Sequence, residues 1–74
     1  MKGMTQKSFQ LIVWNMLEDT HMIRQFYGTD NIIHEVDGYA DVLYEEYIGQ
    51  YKVTDPKDYV KMCILRDFAE SIES

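Results

Sequence analysis

Acidic side chains recur at helical spacing in the middle of the chain, between Thr29 and Gln50. This segment contains six carboxylates and neither lysine nor arginine. When it is wound as an α-helix at about 100° per residue, four acids and one histidine fall on one narrow stripe: Asp30, His34, Asp37, Asp41 and Glu45. Apolar residues occupy the opposite side, which is the pattern of a helix that buries one face. The segment therefore predicts a helix with one buried face and one anionic face.

An anionic face of this kind suits binding to a positively charged surface. Acids on a solvated helix face are usually paired with bases three or four positions away, because each pair adds about 0.2–0.5 kcal/mol. The stacked acids have no such partners in sequence, and carboxylates about 6 Å apart approximate the spacing of phosphates along a nucleic-acid strand. We predict that the following carboxylates bind a partner: Asp30, Asp37, Asp41, Glu45 and Glu46. A plain solvated face is the alternative interpretation.

Neither metal binding nor catalysis is predicted. His34 lies beside Glu35 and Asp37, but no HExxH motif, second histidine at helical spacing or calcium-binding loop accompanies it. Cys63 lies in an apolar run without a motif that would activate its thiol, and is expected to be a small core residue. No glycine-rich phosphate loop is present. We therefore expect no cofactor and no enzymatic activity.

The overall charge argues against several kinds of partner. Thirteen acids and seven bases give a net charge of −6, whereas proteins that hold DNA or RNA by its phosphates are normally basic. Direct binding to nucleic acid or to an anionic membrane is therefore not expected. No run approaches the roughly 18–20 apolar residues that span a bilayer, and Glu18 and Asp19 follow the N-terminal apolar run. A cytoplasmic location is expected.

The elements that must position these residues are helices. One proline and four glycines in 74 residues leave long uninterrupted segments, which favours an all-α fold over a turn-rich β fold. We expect residues 1–74 to form a single small helical domain, near the lower size limit for a self-sufficient core. The predicted architecture is a compact three-helix bundle, with short loops that make neighbouring helices antiparallel.

Local signals predict where the three helices begin and end. The first covers residues 5–27, with Thr5 or Ser8 as its N-cap and a break at residues 18–20. The third begins at Asp55-Pro56, an N-cap followed by proline in the first helical position, and continues to about Ile72.

Two alternatives are open for the second helix. It follows Gly28 with Thr29 or Asp30 as the expected N-cap, and Gly49 is its expected end. Gly38 weakens its middle by about 1 kcal/mol relative to alanine. The helix therefore either continues through Gly38 or divides into residues 31–36 and 39–48, in which case Asp30 and His34 leave the stripe.

A second candidate surface is apolar. Several large side chains on the first and third helices exceed what one small core is expected to bury: Leu11, Trp14, Met22, Tyr59 and Met62. Tryptophan, tyrosine and methionine are enriched at the centres of protein interfaces. We predict that these residues form a homodimer interface or bind a helix of a partner, so a structural or assembly module is the alternative function.

Residues 39–71, YADVLYEEYIGQYKVTDPKDYVKMCILRDFAES, combine an acidic tyrosine-rich helix, a proline-marked linker and a DYV…RDF ending. This order resembles the C-terminal part of ArdA-type antirestriction proteins, in which an acidic helical segment precedes a Tyr-Ile-Asp-Tyr stretch and an Arg-Asp-Leu ending. Tyr59-Val60 and Arg66-Asp67-Phe68 carry the resemblance, with a separation one residue shorter than in that pattern. The resemblance implies a phage or mobile-element protein that mimics DNA and blocks a host defence enzyme.

The charge pattern and the resemblance lead to one functional hypothesis. We expect a small acidic inhibitor, a DNA mimic that binds the basic cleft of a host nucleic-acid-binding protein. The assignment of individual acids to this surface follows from their charge and spacing, not from a family motif.

Overall fold

A computed structural model of the chain describes residues 4–50 and 54–69. Over these residues the chain forms three α-helices: α1 (Gln6–Asp19), α2 (Ile32–Gly49) and α3 (Pro56–Asp67). A short 3-10 helix, Met22–Phe26, lies between α1 and α2. The helices pack around a shared core as an all-α three-helix bundle, which confirms the predicted fold class. None of these helices has the length and apolar character of a membrane span.

Side-chain hydrogen bonds define both ends of α1. The Thr5 hydroxyl accepts a hydrogen bond from the Ser8 amide at 3.1 Å, which satisfies one of the free N–H groups at a helix start. At the other end, Thr20 Oγ1 donates to the Met16 carbonyl oxygen at 2.8 Å, and His21 adopts a left-handed conformation with φ of 65°. The predicted break at residues 18–20 is confirmed.

The start of α2 differs from the prediction. Asn31 is the N-cap, and its side chain accepts a hydrogen bond from the His34 amide at 3.1 Å. The prediction of Thr29 or Asp30 is therefore wrong, because asparagine caps a helix as well as aspartate does and Asn31 directly precedes the first helical residue. Gly28, in the loop before this cap, has a left-handed conformation, with φ of 93°.

Helix α2 continues through Gly38 to Gly49. Of the two alternatives for this segment, the continuous helix is therefore the one formed. Val36 and Ala40, on either side of the glycine, are fully buried. Their packing against the other helices outweighs the weak helix propensity of one glycine.

Helix α3 begins as predicted and ends earlier than predicted. The Asp55 side chain accepts a hydrogen bond from the Lys57 amide at 2.9 Å, with Pro56 in the first turn. The helix ends at Asp67, and the predicted end near Ile72 lies outside the described residues. Phe68 leaves the helical conformation where its ring packs against Phe26 and Tyr39, with both pairs of ring centroids 5.8 Å apart.

The buried core draws residues from all three helices. Its members are Phe9, Val13, Leu17, Val36, Ala40, Leu43, Tyr59, Val60, Cys63 and Ile64. Cys63 is fully buried, as expected. Helix α1 contacts both α2 and α3 more extensively than these two contact each other, so α1 is the central element of the bundle.

Candidate functional site: an anionic edge between α1 and α2

Asp37 and Asp41 lie at the edge where α2 meets α1, and both are half-buried. The indole Nε1 of Trp14 donates a hydrogen bond to Asp37 Oδ1 at 3.1 Å. Asp41 Oδ1 accepts two hydrogen bonds, from Gln6 Nε2 at 2.6 Å and from Gln10 Nε2 at 3.4 Å. The central acids of the predicted stripe are therefore anchored to the neighbouring helix.

The three donors form a regular row on α1. Gln6, Gln10 and Trp14 are spaced by four residues, which places them one above another on one side of the helix. Because α1 and α2 are antiparallel, the row runs alongside the two aspartates in reverse order. The apolar pattern of α1 does not predict Gln6 and Gln10 as site residues. Their spacing of four is the sequence signal that identifies them.

These hydrogen bonds orient the carboxylates without neutralising them. Amide and indole N–H groups carry no formal charge, so Asp37 and Asp41 keep their negative charges. The bonds use only Oδ1 of each carboxylate. The side chains are thus held in defined positions at the rim of the bundle, which favours binding because less side-chain entropy is lost.

The remaining predicted acids are in different places. Glu45 is exposed and lies one turn after Asp41 on the same side of α2. Asp30 is also exposed, but it precedes the helix, so it does not belong to the stripe. Glu46 is exposed on the α3 side of α2, where its Oε1 accepts a hydrogen bond from the Tyr59 hydroxyl at 3.3 Å. We define the anionic edge as Asp37, Asp41 and Glu45.

The predicted apolar surface is only partly on the outside. Tyr59 belongs to the core, and Trp14 and Met22 pack against it. Because α1 is the central helix, its neighbours cover more of its circumference than the sequence pattern indicates. The expected position outside the core is therefore wrong for Tyr59, whereas Trp14 and Met22 are only partly buried. Leu11 and Met62 are 61% and 56% exposed. A homodimer interface or a partner-helix site formed by these residues stays a prediction.

The environment of Tyr59 affects its ionisation. Burial, together with the neighbouring Cys63 and the Glu46 carboxylate, raises the pKa of Tyr59 to about 12. Burial and the hydrogen bond to Asp67 likewise raise the pKa of Tyr39. Both phenols therefore lose their protons less readily in the folded chain than in an unfolded one, where tyrosine has a pKa of about 10.

We expect the bundle to lose stability in alkaline solution. A raised pKa in the folded state stabilises the fold fully below about pH 10, and this contribution disappears as the pH rises to about 12. Urea unfolding followed by circular dichroism across this range measures the effect. Tyr59→Phe keeps the ring but has no ionisable proton, so its unfolding free energy should depend less on pH. An equal pH dependence in both proteins would contradict the assignment.

Comparisons with known proteins return no match: no protein-family model, no curated protein and no solved structure matches the chain. In the part of the chain that the structure describes, no group of three histidine, cysteine, aspartate or glutamate residues is placed to hold a metal ion. The anionic edge is thus the candidate site, and its function is argued from its own geometry.

Proposed function

We propose that the protein is an acidic inhibitor that occupies the basic cleft of a nucleic-acid-binding protein and competes with DNA or RNA. The anionic edge is the observation that supports this proposal. It presents carboxylates on successive turns of one helix, and neutral donors from α1 hold two of them in place. In this proposal the chain acts by occupying a surface, and needs neither a catalytic residue nor a cofactor.

The charge around the edge favours a strongly basic partner. The segment from Thr29 to Gln50 contains six carboxylates without lysine or arginine, so the potentials of neighbouring acids add. A cleft lined with lysine and arginine is complementary to such a surface, and long-range attraction accelerates the encounter. Placement on a packed helix keeps the carboxylates together when a partner approaches.

The resemblance of residues 39–71 to ArdA-type antirestriction proteins supports the same class of function. This segment includes Asp41 and Glu45 of the edge but not Asp37. On this basis we propose that the chain is a DNA mimic from a phage or mobile element, and that its target is a host defence enzyme. The proposal predicts which enzymes are worth testing first.

The proposal is tested by displacement of DNA from such enzymes. A fluorescent duplex is bound to each member of a panel of restriction and DNA-methylation enzymes, and its anisotropy is followed as the protein is added. We expect the protein to displace the duplex from a target enzyme at low salt, and its affinity to fall steeply as salt screens the carboxylates. The duplex with the protein alone is the control, and its anisotropy should not change.

Two results would contradict this function. One is that the duplex remains bound throughout the panel, at every protein concentration and at low salt. The other is an affinity of the protein for the enzyme, measured without DNA, that salt leaves unchanged, since an interface built on the anionic edge must weaken when charges are screened.

A further inference from the structure

Gly38 has no role inside the bundle that requires a glycine. It lies within the continuous helix α2 and is exposed. A Cβ atom added at this position would meet nothing within 4 Å, and the backbone is not left-handed. Alanine would form a more stable helix at an exposed interior position of this kind. The fold itself therefore does not require a glycine at residue 38. A partner molecule that packs closely against the α2 backbone at this position would require one.

An open groove of about 360 Å³ lies over Gly38, at the lower end of the range for ligand pockets. Its lining consists of Phe26, His34, Glu35, Gly38, Tyr39 and Val42. The Val42 side chain, one turn beyond Gly38, is 57% exposed. The groove thus combines an apolar floor with access for another main chain or side chain.

The aromatic wall of the groove is held in place by the bundle. The rings of Phe26 and Tyr39 have centroids 5.7 Å apart, and each also packs against Phe68. The Tyr39 hydroxyl donates a hydrogen bond to Asp67 Oδ2 at 2.7 Å. The groove is therefore formed before any partner binds, which reduces the entropy lost on binding.

The charges beside the groove indicate its occupant. Glu35 and Glu46 are exposed and lie on the same side of α2, about three turns apart, with Val42 between them. A second copy of this chain would bring the same negative charges against them, which disfavours self-association here. A helix lying along α2 would match both acids if it carried bases at the same separation.

We propose that this groove binds an amphipathic α-helix of another protein, which seats an apolar side chain beside Gly38 and Val42 and pairs lysine or arginine with Glu35 and Glu46. This is the helix-in-groove mode of recognition, with charges that set the register. The groove lies on the side of α2 that carries Glu35 and Glu46, away from the contacts that Gln6, Gln10 and Trp14 make with α2, so its binding does not depend on the hydrogen-bonded carboxylates Asp37 and Asp41.

Nuclear magnetic resonance of the ¹⁵N-labelled full chain tests this proposal with two synthetic peptides. One peptide is a helix with leucine along one side and lysine elsewhere; the other has serine in place of leucine and the same charge. We expect the leucine peptide to shift the amide signals around Gly38 and Val42. The serine peptide should bind about tenfold more weakly, because it has no apolar side chain to bury.

Two pairs of matched variants locate the site. Gly38→Leu fills the groove and should weaken binding of the leucine peptide about tenfold, whereas Gly49→Leu makes the same change outside it, where a Cβ also has open space. Val42→Gln should weaken binding more than Ile48→Gln, although the two native side chains are similarly exposed, 57% and 54%. Circular dichroism melting verifies that all four variants fold.

Three results would overturn the proposal. The first is equal binding of the two peptides, which would indicate unspecific attraction between charges. The second is a set of shifted signals away from Phe26 and residues 34–46. The third is unchanged binding in both Gly38→Leu and Val42→Gln. A failure of this kind leaves displacement of DNA by the anionic edge unaffected, so the two proposals are distinguished.

Discussion

Removing the charges of the anionic edge while keeping its hydrogen bonds should weaken competition with DNA about 100-fold, since charge pairs at an interface each contribute on the order of 1 kcal/mol or more. The variant is Asp37→Asn, Asp41→Asn, Glu45→Gln. The asparagine oxygens can still accept from the Trp14, Gln6 and Gln10 side chains that hold the native carboxylates. Displacement of the fluorescent duplex from a target enzyme measures the change.

The hydrogen bonds from α1 explain why Asp37 and Asp41 are replaced by amides and not by lysines. A lysine at residue 37 would place an ammonium group against the Trp14 N–H, and both groups are donors. A lysine at residue 41 would meet the donors of Gln6 and Gln10 in the same way. Charge reversal would therefore disturb the contact between α1 and α2, and a loss of binding could not be separated from a loss of folding.

A matched variant distinguishes the edge from the overall charge. Asp19→Asn, Glu35→Gln, Asp58→Asn removes three exposed carboxylates, one on each helix, so the net charge changes by the same amount. We expect at most about a twofold loss of competition, because these acids lie away from the edge and salt screens their effect. Equal losses in both variants, or full activity in the edge variant, would refute the assigned site.

Phe9→Ala should leave most of the chain unfolded. The Phe9 side chain is fully buried, and its ring packs against Tyr44 and Tyr47 with centroids 5.4 and 5.3 Å away. Deleting a buried phenylalanine ring costs about 3–5 kcal/mol, and the core of a chain this small rarely supplies more than about 3–5 kcal/mol of net stability. Far-ultraviolet circular dichroism should therefore show a large loss of helix.

Leu11→Ala is the control for this variant. Leu11 lies two residues along the same helix, and its side chain is 61% exposed. We expect its unfolding free energy in urea to change by less than about 0.5 kcal/mol. A Phe9→Ala protein that unfolds cooperatively with native stability would show that the ring is not the centre of the core.

The sequence alone was sufficient for the features that depend on local interactions. The cap at Thr5 or Ser8, the start of α3 at Asp55-Pro56 and the break at residues 18–20 each involve groups within a few residues of one another. The apolar spacing likewise predicts which side of each helix is buried, since it depends on the helical repeat alone. The start of α2 shows the limit of such local patterns. Thr29, Asp30 and Asn31 are all good capping residues, so the sequence does not decide which of them caps the helix.

The tertiary structure decided how the acids are used. Asp41 meets Gln6, 35 residues earlier in the chain, and no local pattern states how α2 is rotated against α1. The same packing decided that Tyr59 belongs to the core and that Trp14 and Met22 are partly covered by it. Charge and period are properties of one helix, and they predict an anionic stripe. Whether its carboxylates are free or anchored depends on which neighbour packs beside them.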